Sequence, residues 1–470
     1  MSCVAGPAVS LTPRTWPFAA VRADHVILSG IIACALLLYA HTNLRYGSTN
    51  LNVDAYLYYV PAHSWYFDGD FDYENNMLAA PGFTAADVYL QRRGATGRVI
   101  HFWPCGWSMI SAPFVALAAG MTAVHNAVFA SSIPRDGFSV YYRWLVPLPH
   151  VGLGLAGLFC AYVFASRYFG RKTAALAVAA AWLGTNVAYF VSVEPTLSHA
   201  SSMAFVAFMV LTVDNIRRSG WTRGHALCLG MSCGMMLAMR HQNVVWLTVP
   251  AMVLMARVVR DLVRHEPRAL RNAGLGLLAA AVVAVCLLPQ CISNLMIEGR
   301  LIGKASTHFP DWLSADFARE LLAPPTGLLL LYPLVGIGFL GLLGSLRRGK
   351  ASTLWLGLLV GSALLVCVNA CWPFGIGQTR RYVCCAMMLV LGLAAAFAYA
   401  DRTRTRVRVM YAIIALLCIR NVTMMVLVDR QIVAREVVNG GVVEIEARRI
   451  AGGPDAFSIS EGLRRLIEPD

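Results

Sequence analysis

Between long apolar runs stand five groups of polar residues whose side chains can move protons or hold phosphates. The first begins at Asp54, in Asp54-Ala55-Tyr56-Leu57-Tyr58-Tyr59-Val60-Pro61. A carboxylate there can take a proton from a hydroxyl within hydrogen-bond reach. Equally, it can cap a helix whose Tyr56, Tyr58, Tyr59 and Trp65 lie at a membrane interface. Close behind it, Asp68-Gly69-Asp70-Phe71-Asp72-Tyr73-Glu74 alternates carboxylates, which suits either a divalent ion on oxygen ligands or, the favoured reading, a solvated Asp-Gly turn. The second group, Glu194-Pro195-Thr196-Leu197-Ser198-His199, offers a second acid and an imidazole for an acceptor site, with His199 satisfying helix-end backbone as the alternative. In the third, Arg240-His241-Gln242-Asn243 splits two apolar runs; an arginine so placed needs a partner or an aqueous cavity, and its planar fork matches phosphate oxygens. The loop from Lys304 to Pro325 is the fourth. The fifth runs from Trp372 to Arg381 and ends on Arg380 and Arg381, which suit a phosphate or serve as headgroup anchors.

What must position these groups follows from composition. Hydrophobic residues make up 58% of the 470 and charged residues 14%, against roughly 25% charged in soluble domains. The apolar residues come in runs near the ~20 residues that a helix needs to cross the hydrocarbon core. Short alternating strands, the mark of a membrane β-barrel, are missing from the sequence. The expected fold is therefore all-α and polytopic. A net charge of +14 raises nucleic acid as a partner, but the arginines sit in short clusters between apolar runs rather than in one basic domain, which is the pattern of cytoplasmic loops and argues against nucleic acid. The thirteen cysteines include no CxxC pair or zinc spacing and are packing residues.

Threading by those clusters gives one consistent orientation. Residues 1–24 form a cytoplasmic N-terminus, 25–430 a transmembrane domain with its first outer loop at 45–101, and 431–470 a short extracytoplasmic tail. Placing Arg167, Arg171 and Lys172 inside also puts Arg217, Arg218 and Arg223 inside, with Arg257, Arg260, Arg264, Arg347, Arg348, Lys350 and the run from Arg402 to Arg408. Expected spans include Thr173 to Val191, Leu197 to Ile216, Ala226 to Met239, Val244 to Met255, Ala273 to Ile292, Gly327 to Leu346, Leu354 to Ala370, Val383 to Ala400 and Val409 to Val428. Phe102 to Phe129 is apolar enough to cross, but a crossing there would put the Arg167 loop on the wrong side. It is expected to be juxtamembrane or re-entrant, leaving about eleven spans and all five polar groups on the outer face.

The order of these motifs resembles the bacterial polytopic glycosyltransferases of the GT-C fold, the group that contains the protein mannosyltransferases and the lipid A aminoarabinose transferases. The matching pieces are the Asp54 and Phe67 to Tyr73 stretches, His101-Phe102-Trp103-Pro104-Cys105-Gly106, Arg167 to Lys172, Arg240 to Asn243, Leu321 to Pro333 and Trp372 to Arg381. The resemblance implies a polyprenyl-phosphate sugar donor and a hydroxyl on a cell-envelope glycan, lipid or protein as acceptor. Transfer would be inverting, at the outer face of an inner or plasma membrane. It also implies Asp54 as the catalytic base, with Arg240, His241, Arg380 and Arg381 binding the donor phosphate and Glu194 and His199 as a second acid or acceptor site. A divalent metal is the one cofactor the reading admits, its requirement not fixed by the sequence, and membrane lipids are the other partners.

Two other classes fit part of the pattern. A transporter or flippase for a lipid-linked or anionic solute would also place arginines and carboxylates near the membrane, but calls for repeated halves that the sequence does not show. A scaffold or sensor would use the long outer loop and leave the Arg240 break unexplained. No Walker or glycine-rich phosphate loop points to an ATP-driven pump.

Overall fold

The computed structural model describes residues 22–46, 53–79, 93–266, 269–303, 315–322, 327–346, 352–371, 379–400 and 404–429. The expected N-terminal segment up to residue 21, the C-terminal tail and most of the Lys304 to Pro325 loop lie outside the described residues. Among those described the chain is helical, and β-pairing is limited to an isolated bridge between Arg93 and Val99.

Helix α1 (Ala23–Tyr46) is followed by α2 (Val53–Phe67), α3 (Glu74–Ala79), α4 (Gly106–Phe129), α5 (Val140–Leu145), α6 (Leu148–Phe169) and α7 (Arg171–Gly184). Then come α8 (His199–Ser219), α9 (Arg223–Met239), α10 (Thr248–Val263), α11 (Ala269–Glu298), α12 (Phe317–Leu322) and α13 (Leu328–Leu331). The last four are α14 (Pro333–Leu346), α15 (Ser352–Ala370), α16 (Ala386–Ala400) and α17 (Arg404–Asp429). In lipid every backbone amide must be satisfied inside its own segment, which is why the apolar runs are helices. Apolar burial drives little association between them there, so close contact depends on small residues. Gly230 and Gly234 of α9 accordingly face Ala279 and Cys286 of α11, and Gly338 and Gly341 of α14 face Leu389 and Gly392 of α16. The span containing α8 is 83% buried, against 17% for those of α11 and α17, so α8 is a central post and the other two are peripheral.

Polar pairs identify the two ends of the bundle. At one end the Asp24 carboxylate accepts from Arg22 and from the Tyr162 hydroxyl, joining the start of α1 to the end of α6. At that same end buried Asp214 of α8 accepts from Arg167 at 2.8 Å, Arg217 at 3.0 Å and Arg218 at 2.8 Å. Arg257 of α10 donates to the Ile216 carbonyl there. We call this the basic end. At the opposite end Tyr39 donates to the Trp144 carbonyl, and Asn421 of α17 donates to the Leu183 and Thr185 carbonyls at the end of α7.

These pairs settle the path of α4. Nine helical segments are long and apolar enough to cross a membrane by length and composition, α4 among them. Yet Trp107, at the start of α4, stacks on His150, and His125, near its end, is hydrogen-bonded to the Tyr141 hydroxyl. Both partners lie on the far side of α6 from Tyr162, so neither end of α4 reaches the basic end. Helices α7, α9 and α14 are shorter, but each joins one end of the bundle to the other. Counting them and leaving out α4 gives eleven helices that run between the two ends, α1, α6 to α11 and α14 to α17, among the described residues, close to the nine that are long and apolar enough to cross.

Boundaries differ from the sequence expectations for local reasons. The expected span Thr173 to Val191 is broken: α7 stops at Gly184, and Tyr189–Val193 is a π-helical turn. The expected span from Val244 to Met255 begins as a 3-10 helix, His241–Leu247, and continues as α10 to Val263, so Arg257 and Arg260 lie on the helix rather than beyond it. Pro333 divides α13 from α14, because proline can start a helix but cannot supply its interior N–H. Part of the expected outer loop is itself helical, as α2 and α3.

Candidate active site at one end of the bundle

Helix α2 carries Asp54 in its first turn, half-buried. The helix contains Pro61, which has no N–H to give to the carbonyl four residues back, that of Leu57. The His101 Nε2–H supplies the missing donor at 2.7 Å. One residue on, the Ser108 hydroxyl donates to the Tyr58 carbonyl. The helix holding Asp54 is thereby fixed within one turn of the carboxylate.

That use of His101 has a pH consequence. The ring is buried, and desolvation lowers its pKa to about 4. A histidine near 6.5 in the unfolded chain and near 4 in the folded one lets the unfolded state bind the extra proton between those values. Stability is therefore full above 6.5 and lost as pH falls toward 4, by about 3 kcal/mol from this residue alone. We expect amide exchange in α2 to accelerate over that window, and His101→Gln, which keeps a donor but does not titrate, to remove that part of the pH dependence. Equal pH profiles for parent and variant would discount the role of His101.

The acidic stretch is fully engaged in its own turn. Asp70 accepts from the Ser64 hydroxyl and the Asp72 N–H, Asp72 from the Glu74 N–H, and Asp68 from Asn75 and Asn76. Glu74 pairs with Arg93 at 2.7 Å. Among the described residues no group of three or more His, Cys, Asp or Glu side chains is arranged to hold a metal ion.

Between α7 and α8 the chain turns at Glu194-Pro195, where proline ends helical bonding, and Glu194 and His199 are both buried. Arg240 is extended between α9 and the 3-10 helix that His241 opens. Its Nη1 lies 3.1 and 3.3 Å from the two ring nitrogens of His199, whose ring also lies 4.6 Å from that of Phe190. The structure thus gives His199 a side-chain partner, where the sequence suggested helix-end backbone as its alternative role. Asn243 locks the break by donating to the Ser202 hydroxyl and the Met236 carbonyl. Among the described residues no carboxylate lies within ion-pair distance of Arg240.

Around this contact several buried polar atoms have no hydrogen-bond partner among the described residues: Arg240 Nε, Gln242 Nε2, Asn243 Oδ1 and the hydroxyls of Ser192, Thr196 and Ser198. Each costs about 1–3 kcal/mol when left unsatisfied. A concentration of them on two neighbouring segments marks a place that a polar ligand would complete. Ser192, Thr196 and Ser198 escaped the sequence reading, although serines and threonines crowded about a buried turn are a signal. Arg380 and Arg381 open the 3-10 helix Thr379–Cys385, which packs against α8; their side chains, and Trp372 to Gln378, lie outside the described residues. That 3-10 helix is tied to α12 by Tyr382 donating to Glu320 at 2.8 Å.

Two consecutive residues of α4 join the Asp54 helix to the Glu194 turn: Ser108 reaches the Tyr58 carbonyl, and the Trp107 indole N–H donates to the Pro195 carbonyl at 3.2 Å. Of the residues singled out in the sequence, the structure brings Arg240 and His199 into contact. Asp54 is linked to the turn leading to His199 through α4.

No protein-family model and no curated relative matches this sequence. Solved structures do share its fold. The oligosaccharyltransferase of Archaeoglobus fulgidus in its apo form superposes with a TM-score of 0.53 and 13% identity, over 93% of this chain and 59% of that one. The same protein in complex with an inhibitory peptide and a dolichol-phosphate gives 0.52 and 13%, over 92% and 58%. ArnT from Cupriavidus metallidurans bound to undecaprenyl phosphate gives 0.45 and 13%, over 95% and 78%. The chain thus spans about 59% of the archaeal enzyme's length. The fold is GT-C-like, and the chain is a multi-pass membrane protein.

Proposed function

We propose that this GT-C-like chain is a membrane glycosyltransferase that moves a sugar from a polyprenyl-phosphate donor to a hydroxyl on a cell-envelope glycan, lipid or protein, at the extracytoplasmic face of an inner or plasma membrane. The observation that carries this reading is Arg240. On a fold shared with a protein solved with a dolichol-phosphate, an arginine with no acid partner among the described residues stands among buried polar atoms that those residues leave unsatisfied.

The chemistry is a single displacement. Asp54 takes the proton of the acceptor hydroxyl as its oxygen bonds to the anomeric carbon, and the bond from that carbon to the phosphate oxygen breaks with inversion. The electron pair moves onto the phosphate, where the Arg240 guanidinium stabilises the developing charge. His199 holds Arg240 in place and so is a positioning residue, while Arg380, Arg381 and His241 supply further donor contacts. Glu194, buried in the turn before α8, is kept as the second acid.

Membranes containing the protein, given a panel of radiolabelled polyprenyl-phosphate sugars, are expected to show protein-dependent transfer from at least one of them; no transfer from any would overturn the proposal. Sidedness is checked separately. Cysteine at exposed Leu78 is expected to react with a membrane-impermeant thiol reagent in intact cells, and cysteine at exposed Lys172 is not. Labelling at Lys172 alone would reverse the orientation.

A further inference from the structure

The first six residues of α4 form a junction. The Gly106 backbone lies against the end of α9, so close that a Cβ there would stand 2.5 Å from the Ala238 carbonyl oxygen and 2.7 Å from the Met239 nitrogen, one residue before Arg240. Trp107 holds the Pro195 carbonyl, and Ser108 holds the Tyr58 carbonyl. Ser111 reaches His150 of α6, whose side chain is fully buried.

His150 connects these pieces. Its Nε2 is 2.8 Å from the Ser111 hydroxyl of α4, and its Nδ1 is 2.5 Å from the Ser201 hydroxyl of α8. The Trp107 indole stacks on the ring at 4.4 Å with the planes 4° apart. A neutral imidazole donates through one nitrogen and accepts through the other, so both hydroxyls are satisfied by one rigid ring. A phenylalanine could fill the same space and keep the stack, but would leave two buried hydroxyls without that partner.

We infer that His150 is a positioning residue: it fixes α4 to α8 and thereby sets the separation between Asp54 and the Arg240–His199 pair. This rests on the glycosyltransferase reading of the site. The connection runs from Asp54 along α2 to Ser108, from α4 through Ser111 to His150, from His150 to Ser201 and along α8 to His199 and Arg240. Bringing an attacking oxygen and an anomeric carbon together is sensitive to such spacing, since about 1 Å of misplacement can reduce a rate on the order of a hundredfold.

The decisive variant is His150→Phe, assayed in the full-length protein in membranes. Transfer per folded molecule is expected to fall about ten- to hundredfold in kcat, with binding of the donor polyprenyl phosphate within about twofold of the parent, because Arg240 and His199 keep their contact. An unchanged kcat overturns the inference, and so does a loss of donor affinity as large as the loss of kcat. Should His150→Phe fail to fold, Ser111→Ala and Ser111→Thr decide: kcat falls in the alanine variant and returns in threonine, which retains the hydroxyl. Equal rates in the two would overturn it.

Hydrogen exchange separates a failure of this inference from a failure of the functional reading. His150→Phe is expected to raise exchange in residues 101–112 and 194–202 together, while α14 to α17 remain as in the parent. Exchange that rises everywhere, or in only one of the two segments, overturns the coupling. Coupled exchange in a protein whose parent form transfers no sugar would overturn the glycosyltransferase reading and the catalytic use of His150, leaving His150 a structural link.

Discussion

Asp54→Asn is expected to abolish sugar transfer while the protein remains folded and inserted. Asparagine has nearly the size of aspartate and caps a helix about as well, so the first turn of α2 keeps its geometry. Two contacts that hold the next residues of the helix do not involve the side chain changed: Leu57 is held by His101 and Tyr58 by Ser108, both through backbone carbonyls. An amide cannot accept the proton of an attacking hydroxyl, and loss of a general base costs about 10²- to 10⁴-fold in rate. A variant with full transfer activity and normal abundance would remove Asp54 from the mechanism.

Arg240→Lys is expected to weaken donor binding by roughly ten- to hundredfold, the equivalent of about 1.5–3 kcal/mol for hydrogen bonds to a charged group. Lysine keeps the charge but loses the planar fork that meets two phosphate oxygens together. The contact with His199 asks only for a donor, so the abundance of the protein should stay near normal. The comparison is made by measuring binding of the unglycosylated polyprenyl phosphate alongside transfer. If both are unchanged in the lysine variant, Arg240 serves the protein's structure and the phosphate site must be sought at Arg380 and Arg381.

Much of the architecture was legible because a bilayer imposes its own regular signals. Apolar runs separated by arginine clusters carried the all-helical class and the alternation of direction. The parity of those clusters singled out Phe102 to Phe129, and the contacts of Trp107 and His125 keep both ends of α4 away from the basic end. Helix interruptions were harder, because Gly184 and Pro333 stand inside stretches that remain apolar on either side. Hardest of all were pairs distant in sequence. Nothing local to Pro61 announces that His101 will take up the carbonyl it leaves free, and nothing near His150 announces Ser111 on one side and Ser201 on the other. Such pairs follow from how helices pack, and periodicity within a helix carries no record of it. Arg240 was recognisable as an arginine that needs something, but its partner His199 was not.

The polar face of α8 bears on how the chain enters the membrane during synthesis. Its window has a mean hydropathy of 1.3, the lowest of the nine candidate spans, and it carries Asp214 near one end and His199 at the other. An aspartate within an isolated segment opposes insertion by about 2.5–3.5 kcal/mol at the helix centre and less toward the ends. By the time the ribosome has made α8, however, α6 and its Arg167 have already been delivered, together with the Tyr168 hydroxyl that also donates to Asp214. Arg217 and Arg218 follow within a turn on the same helix. The order of synthesis therefore presents the counter-charges before or together with the acid. The least hydrophobic of these helices can then leave the translocation channel against α6 rather than alone into lipid, becoming a central post of the bundle through assembly rather than through its own greasiness.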